Sequence, residues 1–292
     1  MSHRAAFLLF VFGLLAACQP PPDDGLKKAR NVILFVGDGM GVATVTAARI
    51  FDGQSKGLSG EEHVLPFETF PNVALVKTYN TNQQVPDSAG TITAMLTGAK
   101  TRAGLINVGP DSLRRSCKGQ LANPLTPITE TLRGEGKAIG VVTTARITHA
   151  TPAGVFARTA ERDWEDDANI RPGDWELGCR DVAWQLVHAE DGPQVAMGGG
   201  SEHFFGADRR GGRKNAGDDL VRDWLAGGAN RRYVGSTDEL GDLRPGQQVL
   251  GLFAASHMTY MAEKAPDSTE PTLTQMATAA VRLLEENDAG YF

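Results

Sequence analysis

Asn31-Val32-Ile33-Leu34-Phe35-Val36, followed at once by Gly37-Asp38-Gly39-Met40-Gly41, is the stretch on which the fold class turns. A continuous apolar run with charged residues before it and glycines after it suits a strand buried on both faces, as in a mostly parallel sheet. Asp38 then stands at the carboxyl end of that strand, the edge where open α/β sheets bind ligands. The glycines let the backbone turn tightly around whatever the carboxylate holds. Read by itself, Asp38 serves equally well as a turn residue. The glycines do not form a dinucleotide fingerprint, because their spacing is one residue short of G-x-G-x-x-G and an acid sits in the middle.

Working outward, residues 42–51 predict a helix rich in Ala and Thr, residues 53–66 a surface connection and residues 73–79 a second strand. That strand leads into Val85-Pro86-Asp87-Ser88-Ala89-Gly90-Thr91-Ile92-Thr93-Ala94-Met95-Leu96-Thr97-Gly98. Pro86 favours extended chain before it, Ile92, Met95 and Leu96 recur at helical spacing, and Gly98 is a C-terminal stop. Ser88 is therefore expected where a loop turns into a helix. Its hydroxyl would lie at the positive end of the helix dipole, an arrangement suited to holding a phosphate oxygen while the hydroxyl attacks phosphorus. The plainer reading makes Asp87 or Ser88 an N-cap.

After a loop region over 100–124 and a short helix over 128–132, residues 137–144 read as a third strand. His149 and Thr151 follow just past its carboxyl end. Arg162, next to Asp163-Trp164, is able to clamp an anion bidentately or to form a solvated ion pair. Further helices are expected over 181–189, 218–225 and 272–286, strands over 194–197 and 248–253, and the beginning of another strand at 290–292. The alternation of strands and helices predicts an α/β fold with a doubly wound, mostly parallel sheet.

The chain has 292 residues, 41% hydrophobic, with a formal net charge of −6, and its Lys and Arg are spread along its length. Such a chain can bury a substantial core, and it lacks the basic footprint of a nucleic-acid binder. At the N-terminus, His3 and Arg4 precede an apolar run from Ala5 to Ala17. That run is shorter than the roughly 20 residues a membrane span needs, so it reads as a signal peptide. Leu15-Ala16-Ala17-Cys18 resembles a lipobox, with Cys18 as the lipid-bearing residue after cleavage. The expected organisation is a lipoprotein signal over 1–18, a proline-rich linker over 19–30 and a catalytic domain from 31 to 292. The expected location is outside the cytoplasm, anchored to a membrane and facing the periplasm or the cell exterior. An exported protein allows Cys117 and Cys179 to pair; spacing does not show proximity, so two free thiols stay open.

Taken together, Asn31–Gly41, Val85–Ala94, Gly140–Ala153 and Arg162-Asp163-Trp164 resemble a bacterial member of the alkaline phosphatase family, in family order and spacing. The resemblance implies an alkaline-phosphatase-like fold and metal-dependent hydrolysis of phosphate monoesters, with two zinc ions and one magnesium. It makes Ser88 the nucleophile that becomes a phosphoserine and a ligand of one zinc. Asp38 matches the carboxylate between that zinc and the magnesium, and Thr151 a hydroxyl ligand of the magnesium. Arg162 matches the guanidinium that grips two phosphate oxygens, and Asp87 the residue orienting it. His149 falls near the magnesium without binding it, Trp164 at the rim, and Cys117 and Cys179 match a disulfide of the animal branch. A homodimer is implied for a full-length member.

The same resemblance leads one to expect Glu-Gly-Gly-Arg-Ile-Asp-His directly after Phe292, with further zinc ligands later; none of these is in the sequence. The domain is therefore expected to be C-terminally incomplete. The alternative is a catalytically inactive, lipid-anchored remnant that binds phosphate or metal.

Overall fold

β-branched and apolar residues at 141–142, 195–197 and 249–252 seed the sheet of this chain, seen in a computed structural model that describes residues 28–215 and 217–292. The signal peptide with Cys18, and the linker up to residue 27, lie outside the described residues. The folded unit runs from Asn31 to Phe292. Strands β1 (Gly140–Arg146), β2 (Val195–Gly199), β3 (Arg231–Val234) and β4 (Gln248–Leu252) are all parallel, in the order β1-β2-β4-β3. Every residue of β2 is buried, as expected of a central parallel strand covered on both faces.

The helices are α1 (Val42–Ser55), α2 (Ser88–Thr97), α3 (Cys117–Ala122), α4 (Ile128–Gly134), α5 (Ala150–Ala153), α6 (Pro172–Glu176) and α7 (Val182–His188), then α8 (Leu220–Ala226), α9 (Thr237–Leu240) and α10 (Leu273–Leu284). The strand period of two sorts the core into two faces. Val195, Met197 and Val249 pack with Met276, Ala280 and Leu283 of α10. Ala196, Leu250 and Leu252 turn the other way, onto Leu186 and Val187 of α7 and Val221 and Trp224 of α8. Helices on both faces of a parallel sheet make the doubly wound α/β fold. Beside β1, Tyr291 pairs in parallel with Ala138, so the chain does enter an extended segment at 290–292. Among the described residues no helix is long and apolar enough to cross a membrane.

Two expected strands are corrected. Residues 31–36 and 73–79 form no ladder, and their apolar side chains face outward: Phe35 is 77% and Leu75 100% exposed. A strand exists through its partner. Val32 donates to the Tyr291 carbonyl at 2.9 Å, and among the described residues no further backbone pairing follows along the run. At the second run the Lys100 ammonium, not a neighbouring strand, donates to the carbonyls of Lys77 (2.7 Å) and Tyr79 (3.0 Å). Apolar, β-prone chain left unpaired is a template for association. The purified 292-residue chain is accordingly expected to self-associate with rising concentration in sedimentation velocity, and less so when Ile33 and Leu75 are both changed to Lys. A monodisperse sample with one sharp thermal transition contradicts this.

Candidate active site

Ser88 opens α2, with extended Asp87 as its N-cap and left-handed Gly98 as its C-cap, as the Pro86 to Gly98 pattern predicts. Thr151 lies in α5, which begins a few residues past the carboxyl end of β1. Asp38 reaches in from the turn after residues 31–36 and joins them. Its Oδ1 accepts from Ser88 Oγ at 3.0 Å and its Oδ2 from Thr151 Oγ1 at 2.8 Å. His149 Nδ1 is 3.7 Å from the same Oδ2. One carboxylate thus collects two hydroxyls and an imidazole from three separate parts of the sequence.

Arg162 closes the other side. Its Nη1 donates to Asp87 Oδ2 at 3.3 Å and its Nη2 contacts His149 Nε2 at 2.9 Å. A guanidinium carries five N–H donors in one plane, so these two contacts leave an edge free for a planar or tetrahedral anion. Asp87 serves as both cap and orienter: Oδ1 accepts from Gly90 N–H (3.0 Å) and Asn80 Nδ2 (2.8 Å), and Oδ2 from Gly104 N–H (2.8 Å). Burial opposes its ionisation, but these donors and Arg162 outweigh that and hold its carboxyl below the ordinary range. Burial, then Arg162, pushes the His149 pKa down, so the imidazole is neutral at pH 7. As Arg162 must donate, Nε2 accepts and Nδ1 carries the proton toward Asp38.

Gly90 has no room for a side chain, because a Cβ there would collide with Asn80 Oδ1, and Asn80 is itself buried. Gly90→Ala should displace Asn80 and deprive Asp87 of a donor. A loss of about 1–3 kcal/mol in chemical denaturation is expected from such overpacking. A change below a few tenths would mean that Asn80 moves freely.

Trp164 is corrected from the rim to the interior: it is 2% exposed and packs with Cys117, Cys179 and Ile170. Cys117 and Cys179 are joined in a disulfide, with Cα atoms 5.9 Å apart. This resolves the choice that spacing left open.

A family model described as alkaline phosphatase matches residues 29–292. The chain belongs to the alkaline phosphatase family. It is 42% identical over 279 residues to the tissue-nonspecific alkaline phosphatase of Gallus gallus, covering 90% of this chain and 54% of that protein. The human tissue-nonspecific isozyme is 39% identical over 279 residues, with 90% and 53% covered. Among solved structures, the alkaline phosphatase of Thermus thermophilus superposes with a TM-score of 0.70 at 27% identity, over 91% of this chain and 49% of that one. The cold-active enzyme of a Shewanella species gives 0.63 at 26%, over 88% and 53%. The chain therefore spans about half the length of the alkaline phosphatases it matches.

Whether this member's residues suit the family's metals is answered by the donor set. Asp38, Ser88 and Thr151 offer oxygens, the donors of a hard divalent cation. They fit one such ion. They do not fit two zinc sites as well, since among the described residues no group of three or more His, Cys, Asp or Glu could hold a metal.

Several charged groups at the site have no local signal in the sequence. Glu165 takes Arg146 at 2.6 and 2.8 Å and Thr148 at 2.6 Å, pinning the end of β1. His257, from the loop after β4, contacts Arg146 Nη1 at 2.7 Å and sets its ring 5.7 Å from that of His149. Glu161 is wholly buried beside Arg162. Their partners are many residues away in the chain, and only the fold brings them together.

Proposed function

We propose that this chain carries the phosphate-gripping and nucleophilic part of a phosphomonoesterase, with Ser88 as the nucleophile and a phosphoserine as the intermediate. The observation that carries the reading is the convergence of Ser88 Oγ and Thr151 Oγ1 on Asp38, with the free edge of Arg162 opposite. Arg162 grips two phosphate oxygens and is held by Asp87 and His149. The α2 N-terminus adds its positive end to the same anion. Asp38 accepts the Ser88 hydroxyl hydrogen bond, orients the lone pair that attacks phosphorus and takes the serine proton; the ester P–O bond breaks as the Oγ–P bond forms, the leaving oxygen takes a proton from water, and a second water hydrolyses the phosphoserine to free phosphate. A divalent cation on Asp38, Ser88 and Thr151 would favour the serine alkoxide and offset phosphate charge; the two zinc ions and one magnesium that the family resemblance implies would need ligands beyond these three residues.

The substrates proposed are phosphate monoesters, taken broadly. Export, a lipid anchor on Cys18 and a position facing the periplasm or the cell exterior are proposed from the N-terminal pattern, and homodimerisation of a full-length member from the family. The test is turnover of a chromogenic phosphate monoester by the purified chain with added zinc and magnesium. A second reading takes the chain as a catalytically inactive, lipid-anchored remnant that binds phosphate or metal. No turnover combined with retained binding of inorganic phosphate supports that reading and overturns the first.

A further inference from the structure

A glutamate directly precedes the arginine that faces the anion, and a buried carboxylate so close would ordinarily take that arginine for itself. Glu161 is 0% exposed, yet the Arg162 guanidinium goes to Asp87 and His149 and not to its carboxylate. Its oxygens are filled by other donors. Arg114 Nε lies 2.9 Å from both of them and Arg114 Nη2 2.6 Å from Oε1. Arg115 Nε donates to Oε2 at 2.7 Å and the Asp163 N–H to Oε1 at 3.1 Å. Burial disfavours the charge, but Arg114 and Arg115 outweigh it and hold the carboxyl below the ordinary range.

The backbone around this cluster is built to bring those arginines in. Arg115 adopts a φ of 63°, a left-handed conformation that its β-carbon disfavours, and its N–H donates to the Ala160 carbonyl at 2.8 Å. Arg114 lies across Gly104, where a Cβ would stand 2.7 Å from Nε, and it also reaches Asp163 at 2.8 Å. Gly104 is in turn the hinge of the site: its N–H holds Asp87 at 2.8 Å and its carbonyl takes the Arg162 N–H at 2.9 Å. Arg114 therefore packs against the peptide units that hold both Asp87 and Arg162, while Glu161 anchors the chain one residue before Arg162.

We propose that Glu161 is a positioning residue for Arg162: neutralised by Arg114 and Arg115, it fixes the 159–163 backbone and leaves the Arg162 guanidinium free for phosphate. The proposal rests on the reading of Arg162 as the phosphate-gripping residue. Loss of the carboxylate releases the loop, and loss of Arg114 frees the carboxylate to capture Arg162; both weaken the grip on phosphate.

Inorganic phosphate binding to the full chain, with zinc and magnesium present, is measured by calorimetry for the unaltered protein, Arg162→Ala, Glu161→Gln, Arg114→Met and the double variant Glu161→Gln/Arg162→Ala. Glu161→Gln and Arg114→Met are each expected to weaken binding about five- to fiftyfold, well inside the range for coupled neighbours, and Glu161→Gln should add nothing once Arg162 is gone. Leu283→Ala, in the core between α10 and the sheet, should leave the affinity within about twofold despite its cost in stability. That control separates positioning from general loosening. If Arg162→Ala weakens binding but Glu161→Gln and Arg114→Met do not, or if Glu161→Gln weakens it as much without Arg162, the proposal is overturned and the reading of Arg162 stands. If the unaltered chain binds no phosphate, or Arg162→Ala changes nothing, both fall. Should Glu161→Gln not fold, Arg114→Met, altering the more exposed partner, decides by itself.

Discussion

Ser88→Ala is expected to reduce turnover of a phosphate monoester by at least about a thousandfold, because it deletes the atom to which phosphorus would bond. The fold should hardly notice. Ser88 is the first residue of α2, Asp87 remains the cap through its bond to Gly90 N–H, and alanine is the best helix former. The hydrogen bond lost, Ser88 Oγ to Asp38, is an exposed one, whose net worth is about 1 kcal/mol or less. A change of that size moves a melting temperature by only a few degrees in a domain this large. Arg162 keeps its partners, so inorganic phosphate should still bind to the variant. The combination of lost turnover, retained phosphate binding and a nearly unchanged melting curve identifies a nucleophile. Residual activity within tenfold of the parent would assign the chemistry elsewhere, and collapse of the fold would make Ser88 a structural residue.

The site was legible in the sequence wherever chemistry coincides with local grammar. Ser88 follows an extended Pro86 segment and precedes a helical period, and both the cap and the helix are where that pattern puts them. Thr151 and His149 were placed by the end of an apolar strand, and β1 ends at Arg146. The same reasoning failed at residues 31–36 and 73–79, whose composition is that of buried strands. Hydrophobic periodicity reports what a segment is fitted to pair with, whereas a ladder needs the partner itself. Trp164 was misplaced because a tryptophan next to a functional arginine gives no sign of which way it points; the disulfide it packs on lies partly in α3, far back in the chain. The Glu161, Arg114 and Arg115 cluster escaped for a related reason. Two adjacent arginines in a loop look like solvated surface, and the buried acid that collects them is more than forty residues away, at separations of 47 and 46.

Breaking the Cys117–Cys179 disulfide, by reduction or by changing both residues to serine, is expected to cost about 4 kcal/mol of stability at its separation of 62 residues. The entropic argument concerns the unfolded chain, which the bond shortens by closing a long loop. The folded side gives a reason why the bond is not merely a tether. Cys117 and Cys179 are 2% and 0% exposed, and they share a cluster with Trp164, Ile170 and Trp175. Two serines there would place hydroxyls in an apolar pocket, so Cys→Ala serves as the milder comparison. Urea unfolding with and without reductant measures the effect, and a shift below about 1 kcal/mol would show that the reduced, unfolded chain keeps structure of its own. Cys117 directly follows the Arg114–Ser116 segment that engages Glu161, and Trp164 is two residues beyond Arg162. Opening the bond loosens both flanks of the arginine together. Phosphate affinity should therefore fall in conditions where the reduced protein is still folded, and it should fall less in a variant that already lacks Arg162.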